Sequence, residues 1–571
     1  MVNYPKLQRC KKLKENKPHK YPLDEKVLVT CGLPYANGPM HIAHLRTYVP
    51  GDVFVRYLKK LGQDVVFFCG SDTHGTPITV KAEELGVTPQ EVVEKYHSHF
   101  KTILPKLGIR FDNYGSTDHP LNHARTREIA QKLLDNGYIY PRDVTLPYCP
   151  NCQRFLPDRY LRGTCPHCGA SARGDECDQG CQRYLEPGEL LDPHCSICSA
   201  KAEIKETRHY FLKLTAFEGF LRGFLDGLDG TDIAKNYAKQ WLEQGLQDWN
   251  ITRNIEWGIK FPGDESLVLY VWFDAPIGYI QSTEEWAERT GGDWMHYWKG
   301  PGKLIHFIGP GIVYHHCLFW PAMLKGSGYS VPDAIAASGT MKVEGHVFSK
   351  SRGYVVWVDE DYLANRLDPD ALRYYIVSYT GHTRDLDFNW RTYGDKVNKE
   401  LVGSLGNFIY RSLLFAHRNY GAVPEGTVDA EARQKVEEAV EAIRDGLDEY
   451  EFKKICDAVL GLADYGNRYI QVHEPWKLVK ESPEEAANVI HNCVWLTKAI
   501  AVLMEPVLPF KAEKVYELIG LTPDQSLEQA LTTLETGAKL VKPEPLFQQI
   551  PDDEIEALEE AMIIRIMRAK G

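Results

Sequence analysis

His41 and His44 follow a Gly38-Pro39 turn at the start of an apolar helical pattern. At i, i+3 they share one helix face. A helix N-terminus presents unpaired N–H groups and the positive end of the peptide dipoles, both suited to phosphate. Neutral imidazoles there donate to oxygens that gain charge during phosphoryl attack. An isolated His-x-x-His is more often two ordinary part-buried side chains. Far along the chain, Phe348-Ser349-Lys350-Ser351-Arg352-Gly353 offers a lysine flanked by serines on a loop ending in glycine. Such a loop can close over a triphosphate and clamp pyrophosphate as it leaves. Alone it reads as surface; the two stretches in this order point to nucleotide chemistry.

Eight of the fourteen cysteines form four close pairs, Cys149/Cys152, Cys165/Cys168, Cys177/Cys181 and Cys195/Cys198. With no secretory leader visible, this favours metal over disulfide. Two four-thiolate zinc sites fit the count, and with all four positions filled by protein their role would be structural. Spacing alone leaves nested, consecutive and crossed pairings open. Cys177 and Cys181 are separated by three residues where two are usual.

These groups need a scaffold. Lys26–Cys31 is a β-branched apolar run, a buried parallel strand. A helix is predicted from near Met40 to Gly62, with Pro50 as a possible kink. Val65–Cys69 is a second strand. Thr88-Pro89-Gln90-Glu91 carries helix-start chemistry. This βαβ rhythm predicts a doubly wound parallel α/β sheet, a Rossmann-like catalytic domain. Val268–Phe273 and Leu304–Ile308 are read as its resumption after a cysteine-rich insertion. From 396 helical spacings dominate. The expected organisation is a basic arm at 1–24 and the first half of the catalytic domain at 25–139. A zinc-knuckle insertion follows at 140–207, then the second catalytic half at 208–328. A lysine-loop junction is expected at 329–395, a helical domain at 396–551 and a helix or linker at 552–571.

The 571 residues suffice for three or four modules of ~150 residues. A net charge of −12 gives no global basic footprint, so a nucleic-acid partner needs a local one. The lysine-rich 6–20 stretch reads as a solvated arm, with RNA contact as the sharper alternative. The apolar 489–510 segment contains His491, Asn492, Lys498 and Glu505, and reads as a buried helix rather than a membrane span. The expected compartment is the cytoplasm.

Several blocks resemble methionyl-tRNA synthetases of class I. These are Thr30–Gly38, Ser71-Asp72-Thr73-His74-Gly75-Thr76-Pro77-Ile78, Tyr270–Tyr279 and Leu318–Met323. The resemblance runs from about residue 25 to 550, and the cysteines are similar to the two-knuckle type. It implies ATP-dependent activation of methionine to methionyl-adenylate, then transfer to the 3′-terminal ribose of methionine tRNA. The partners implied are methionine, ATP and that tRNA. Mg²⁺ on the phosphates and two Zn²⁺ per chain are implied as well. His41, His44 and Lys350 would be catalytic. ATP contacts would come from His41, Ala43, His44, Gly339, Ser349, Lys350 and Ser351. Leu33, Tyr35, Trp272, Pro276, Tyr279, Ile312 and His316 would line the methionine slot. Asp72 would hold the ammonium, with Arg253 a weaker substrate contact. Asn407, Arg411 and Trp476 would read the anticodon. Cys165, Cys168, Cys177 and Cys181 would form an inner zinc site, and Cys149, Cys152, Cys195 and Cys198 an outer one. An appended tRNA-binding module or a homodimer stays open.

The chain departs from the family pattern in three places. Ala43 replaces the glycine of H-I-G-H. Val347-Phe348-Ser349-Lys350-Ser351 lacks the first lysine of K-M-S-K-S, with Lys342, His346 or Arg352 as substitutes. Gly309-Pro310-Gly311 stands where Gly-Lys-Asp is common. The rivals are another class I synthetase and a catalytically impaired RNA-binding relative. Branched-chain enzymes need a large editing insertion because one methylene discriminates by only about 1–3 kcal/mol. The insertion here is short and mostly knuckle.

Overall fold

The computed structural model describes residues 18–570 apart from 175, 178, 182, 184, 186, 187 and 351. Ser351 and most of the basic arm thus lie outside the described residues. The arm's described end is anchored rather than solvated. Tyr21 is buried, and its hydroxyl meets that of Tyr450 at 2.8 Å. His19 pairs with Asp448 and Lys20 with Asp229.

Six strands form one parallel sheet: β1 (Val27–Cys31), β2 (Val65–Ser71), β3 (Asn113–Ser116), β4 (Asp229–Gly230), β5 (Lys303–Ile308) and β6 (Ala334–Ala337). The order is β4-β6-β5-β1-β2-β3. Central Val29 lies between Phe67 and Ile305, and β1 is buried throughout, as a sheet covered on both faces requires. Strand order reverses between β1 and β5, which opens a crevice at the carboxyl ends of the strands. The loops after β1, β2, β3, β5 and β6 all emerge on that edge.

The helix Ile42–Lys60 (α1) packs along β1, β2 and β5 and carries Pro50 internally. Arg46, 2% exposed, donates to the carbonyls of Ile376, Gly381, His382 and Arg384, tying α1 to the lysine-loop region. One face further on, Asp52 accepts from buried Arg373 at 2.7 Å, and Arg373 also donates to the carbonyls of Pro506 and Val507. Tyr57 donates to the Leu503 carbonyl.

The run Val268–Phe273 does not extend the parallel sheet. Asp264–Leu269 belongs to a small antiparallel sheet, and Val271–Asp274 is a helical turn leading to the helix Ile277–Thr290. Short apolar runs cannot be told apart by periodicity. The insertion is carried on a long antiparallel pair, Ile139–Cys149 with Glu203–Leu212. From Trp390 the described chain is mainly helical, and Asp552–Lys570 is a helix packed back on Trp390–Lys396. Pro483–Met504 is long and apolar enough to cross a membrane, but 89% of its apolar window is buried inside the fold.

Removing Asp52 takes away the carboxylate that accepts from buried Arg373. Asp52→Ala is expected to cost about 3–5 kcal/mol, read as a fall in the urea midpoint. Asp52→Ala/Arg373→Met should recover most of that loss.

Candidate functional site

His41 caps α1, and its backbone N–H donates to His44 Nδ1 at 3.3 Å. The two rings stack at 3.6 Å, and Phe348 packs on His41 at 4.0 Å. The chain after the lysine loop is laced to this tip. Ile42 N–H donates to the Val356 carbonyl, and Val358 N–H to the Met40 carbonyl. Ser349 pairs with Tyr354. Lys350 reaches across the cleft: a Cβ on Gly38 would lie 3.0 Å from its Nζ, which also stands 5.7 Å over the Trp357 ring. Burial, then His44 and Lys350, holds His41 far below the usual imidazole range. Burial and Lys350 bring His44 down to about 3. Both rings are therefore neutral at physiological pH. Desolvation in the cleft, then the cations Arg159 and Lys81, depresses Lys350, although its side chain stays open to solvent on one side.

Beyond this tip lies an apolar slot. Cβ atoms placed on Gly32 and Gly278 would come within 2.8 Å of Ile312 and 2.9 Å of Leu33, so glycine makes the width. Tyr35 and Trp272 meet edge to face at 6.4 Å, and Trp272 stacks on His315 at 4.0 Å. His316 Nδ1–H donates to the Ile312 carbonyl at 3.0 Å, so Nε2 accepts from the Tyr279 hydroxyl at 2.8 Å. Burial brings His316 down to about 4, which suits that neutral tautomer. His315–Phe319 is a π-helical turn, a feature frequent at functional sites. Pro276 is buried immediately before the helix Ile277–Thr290.

Asp72 follows β2, and its backbone bridges that of Tyr35. It is 2% exposed, and its Oδ1 has no partner among the described residues. Burial and then the neighbouring Asp274 raise it well above the carboxylate range, while His74 works the other way. A buried carboxylate left this way is costly unless a cation completes it.

Gly339, after β6, gives its N–H to His382, and a Cβ there would lie 2.1 Å from the Arg384 carbonyl. Ala43 is half-buried at the α1 tip, and Gly311 has open space around it. Of the residues considered as substitutes for the missing lysine, Lys342 pairs with Asp385, and His346 packs on Tyr354. Arg253 stacks on Tyr270 at 3.8 Å and pairs with Asp158 of the insertion.

The eight thiols converge in two groups, Cys149/Cys152/Cys195/Cys198 and Cys165/Cys168/Cys177/Cys181. Sulfur–sulfur separations of 3.4–3.9 Å lie far beyond a disulfide bond. They match the edge of a tetrahedron with metal–sulfur bonds of about 2.3 Å. The two groups are therefore compatible with zinc.

Asn407, Arg411 and Trp476 stand apart from this cleft, in the helical region. Asn407 donates to Asn467 and Arg411 to Gln471. Both line a groove of about 500 Å³ with Ser404, Asp464 and Arg468. Trp476 is not among its lining residues and stands 38% exposed at the start of the next helix. Sequence reasoning did not single out Arg159, Lys81, His315, Asp274 or Arg468. Lone cations on an insertion or a helix carry no local signature.

A family model for class I tRNA synthetases (M) matches residues 27–413, and one for the anticodon binding domain of methionyl tRNA ligase matches 422–563. The methionine–tRNA ligase of Methanococcoides burtonii is 54% identical over 96% of this chain and 81% of its own length. That of Archaeoglobus fulgidus is 54% identical over 94% and 81%. Among solved structures, Mycobacterium tuberculosis methionyl-tRNA synthetase in complex with methionyl-adenylate shares the fold. Its TM-score is 0.77 at 24% identity, over 92% of this chain and 99% of that one. With both family models and these relatives spanning nearly all of it, the chain belongs to the class I methionyl-tRNA synthetases.

Proposed function

We propose a division of labour among the cleft residues for an ATP-dependent methionine–tRNA ligase. The chain activates methionine with ATP and transfers it to its tRNA. Asp72 carries this reading: a buried, incompletely partnered carboxylate beside an apolar slot is what a zwitterion with a thioether side chain requires. Tyr35, Trp272, Leu33 and Ile312 enclose the thioether, and Asp72 receives the ammonium. The substrate carboxylate is then left facing the α1 tip.

A carboxylate oxygen attacks the α-phosphorus, the bond to the β-phosphate oxygen breaks, and pyrophosphate leaves. No side chain is a covalent nucleophile. His41 and His44, held neutral, donate to phosphate oxygens as charge builds, and Lys350 meets the departing pyrophosphate. Arg159 and Lys81 add positive potential there. The terminal ribose hydroxyl of the tRNA then attacks the adenylate carbonyl and AMP leaves. ATP brings Mg²⁺ on its phosphates; the groups described at the α1 tip are neutral or cationic, so the ion would be held through the nucleotide. Zinc in the two thiolate groups would hold the insertion in shape, and so place Asp158 and Arg159. The groove at Asn407, Arg411 and Arg468 receives the anticodon, with Trp476 as a stacking surface. The enzyme would work in the cytoplasm.

Asp72→Asn should raise the methionine KM in ATP–pyrophosphate exchange and cost about 2–5 kcal/mol in kcat/KM, with the KM for ATP little changed. An unchanged methionine KM would remove Asp72 from the site. Lys350→Gln should lower kcat about 10²–10³-fold, the loss typical of one lost transition-state donor, with the methionine KM unmoved. Elemental analysis should find two zinc ions per chain, and Cys152→Ala should release one of them.

A further inference from the structure

Beside Asp72 lies a row of ionisable groups that the steps above do not use. His74 is 2% exposed and Asp274 is fully buried. His74 Nδ1–H donates to Asp274 Oδ2 at 2.7 Å, and its Nε2 faces Asp118 Oδ1 at 3.5 Å. Asp118 also accepts from His123 Nε2 at 3.2 Å, at the rim. The Trp257 ring stands 5.7 Å from His74, and its N–H donates to the Thr73 carbonyl, fixing the chain between Asp72 and His74. Asp274, like Asp72, has one carboxylate oxygen with no partner among the described residues.

This arrangement poses an electrostatic problem. Two buried carboxylates near one another favour protonation of one of them. A protonated Asp72 could not form an ion pair with an ammonium. His74, placed between Asp274 and Asp118, is the group that can carry the opposing charge. We propose that His74 is a positioning residue: bridging Asp274 and Asp118 as an imidazolium, it offsets the charge of Asp274 and so favours the ionised form of Asp72 that the ammonium of methionine completes. The inference rests on the assignment of Asp72 made above.

The charge balance around His74 agrees, while burial still raises both Asp72 and Asp274 against the pull of His74, so that the arriving ammonium completes the ionisation of Asp72. Burial pulls His74 down, but Asp274 and Asp118 overcome it and push it up to about 10. Asp118, despite its own partial burial, is held well below the carboxylate range by His123 and His74. Asp72 faces Asp274, His74 and, from the helix Ile277–Thr290, the Tyr279 phenol; His74 faces Asp274, Asp118 and the His123 ring. Without the imidazolium, Asp274 would press Asp72 further toward its protonated form. Methionine would then have to pay for a deprotonation before it bound.

The test is His74→Asn, whose amide can still donate to Asp274 but carries no charge. Methionine-dependent ATP–pyrophosphate exchange is followed from pH 6 to 9. At pH 7 the methionine KM should rise about tenfold or more, and fall back toward wild type by pH 9 as Asp72 ionises, while the wild type stays flat. The KM for ATP should not move. In His74→Asn/Asp274→Asn the competing charge is gone, and the methionine KM should return to within about threefold of wild type. A folded His74→Asn enzyme with the wild-type methionine KM at every pH overturns the proposal. So does a KM raised equally at all pH values and not rescued by Asp274→Asn, which marks a purely structural role. If His74→Asn does not fold, Asp118→Asn, which loosens one anchor of the imidazolium, should displace the pH dependence of the methionine KM in the same direction; no displacement overturns the proposal. An Asp72→Asn enzyme with unchanged methionine KM sinks the Asp72 assignment itself. A raised KM there beside an unmoved His74→Asn sinks this inference alone.

Discussion

The backbone pairing of residues 40–42 with 356–358 sets the geometry of everything around it. It places the start of α1 against the chain leaving the lysine loop, so the imidazoles and the ammonium of Lys350 share one frame. From there α1 runs roughly 28 Å, at 1.5 Å per residue. Along that length it is gripped in turn by the 373–384 segment through Arg46 and Asp52 and by the helical region through Tyr57. One helix thus touches the nucleotide sheet, the lysine loop and the domain proposed to read the anticodon.

The cleft is also a place where charge has been stripped of water. His41, His44, Lys350 and Asp72 all shift towards their neutral forms for that reason first. An unsatisfied buried polar group costs about 1–3 kcal/mol, so stability is sacrificed at this site. The gain is preorganisation: in a water-poor cleft, donors aimed at developing charge need no reorganisation when it appears. Under the proposed assignment each ligand repairs one deficit. The ammonium completes Asp72, and the polyphosphate compensates the cations around Lys350.

The amino-acid sequence alone makes legible what is local or periodic. The apolar runs of β1, β2 and β5 follow from burial on both faces of the sheet, and the spacing of α1 from helical period. The helical character beyond residue 396 has the same origin. Four tight cysteine pairs announce metal chemistry by count, but whether they nest is a matter of tertiary path. The run 268–273 shows where periodicity stops: six apolar residues suit a strand or a buried turn equally, and the hydrogen bond from Phe273 N–H to the Tyr270 carbonyl decides for the turn. Arg46, Arg373 and Arg159 were invisible for another reason. Each is a single cation whose partners lie far away in sequence, and no local pattern encodes such a pairing. The anchored Tyr21 belongs with them, since its partner Tyr450 is supplied by the helical region.

The three departures from the family signatures can be weighed in the same terms. Coulombic potential is long-ranged and additive, so in a cleft of low effective dielectric a missing cation can be offset by others placed elsewhere. Val347 occupies the position of the absent lysine and is 37% exposed at the loop's edge. Arg159 comes from the insertion and Lys81 from the helix Thr76–Leu85, and both already press on Lys350. The positive field around Lys350 therefore does not depend on one residue of the loop. Directional contacts are less forgiving. Lys350 lies so close to Gly38 that a side chain there would crowd its ammonium, and a side chain on Gly32 would press on Ile312. Drift is thus easier where the requirement is net charge than where it is close side-chain contact. Ala43 tests the boundary, since a single methyl at the α1 tip is a matter of contact and not of field.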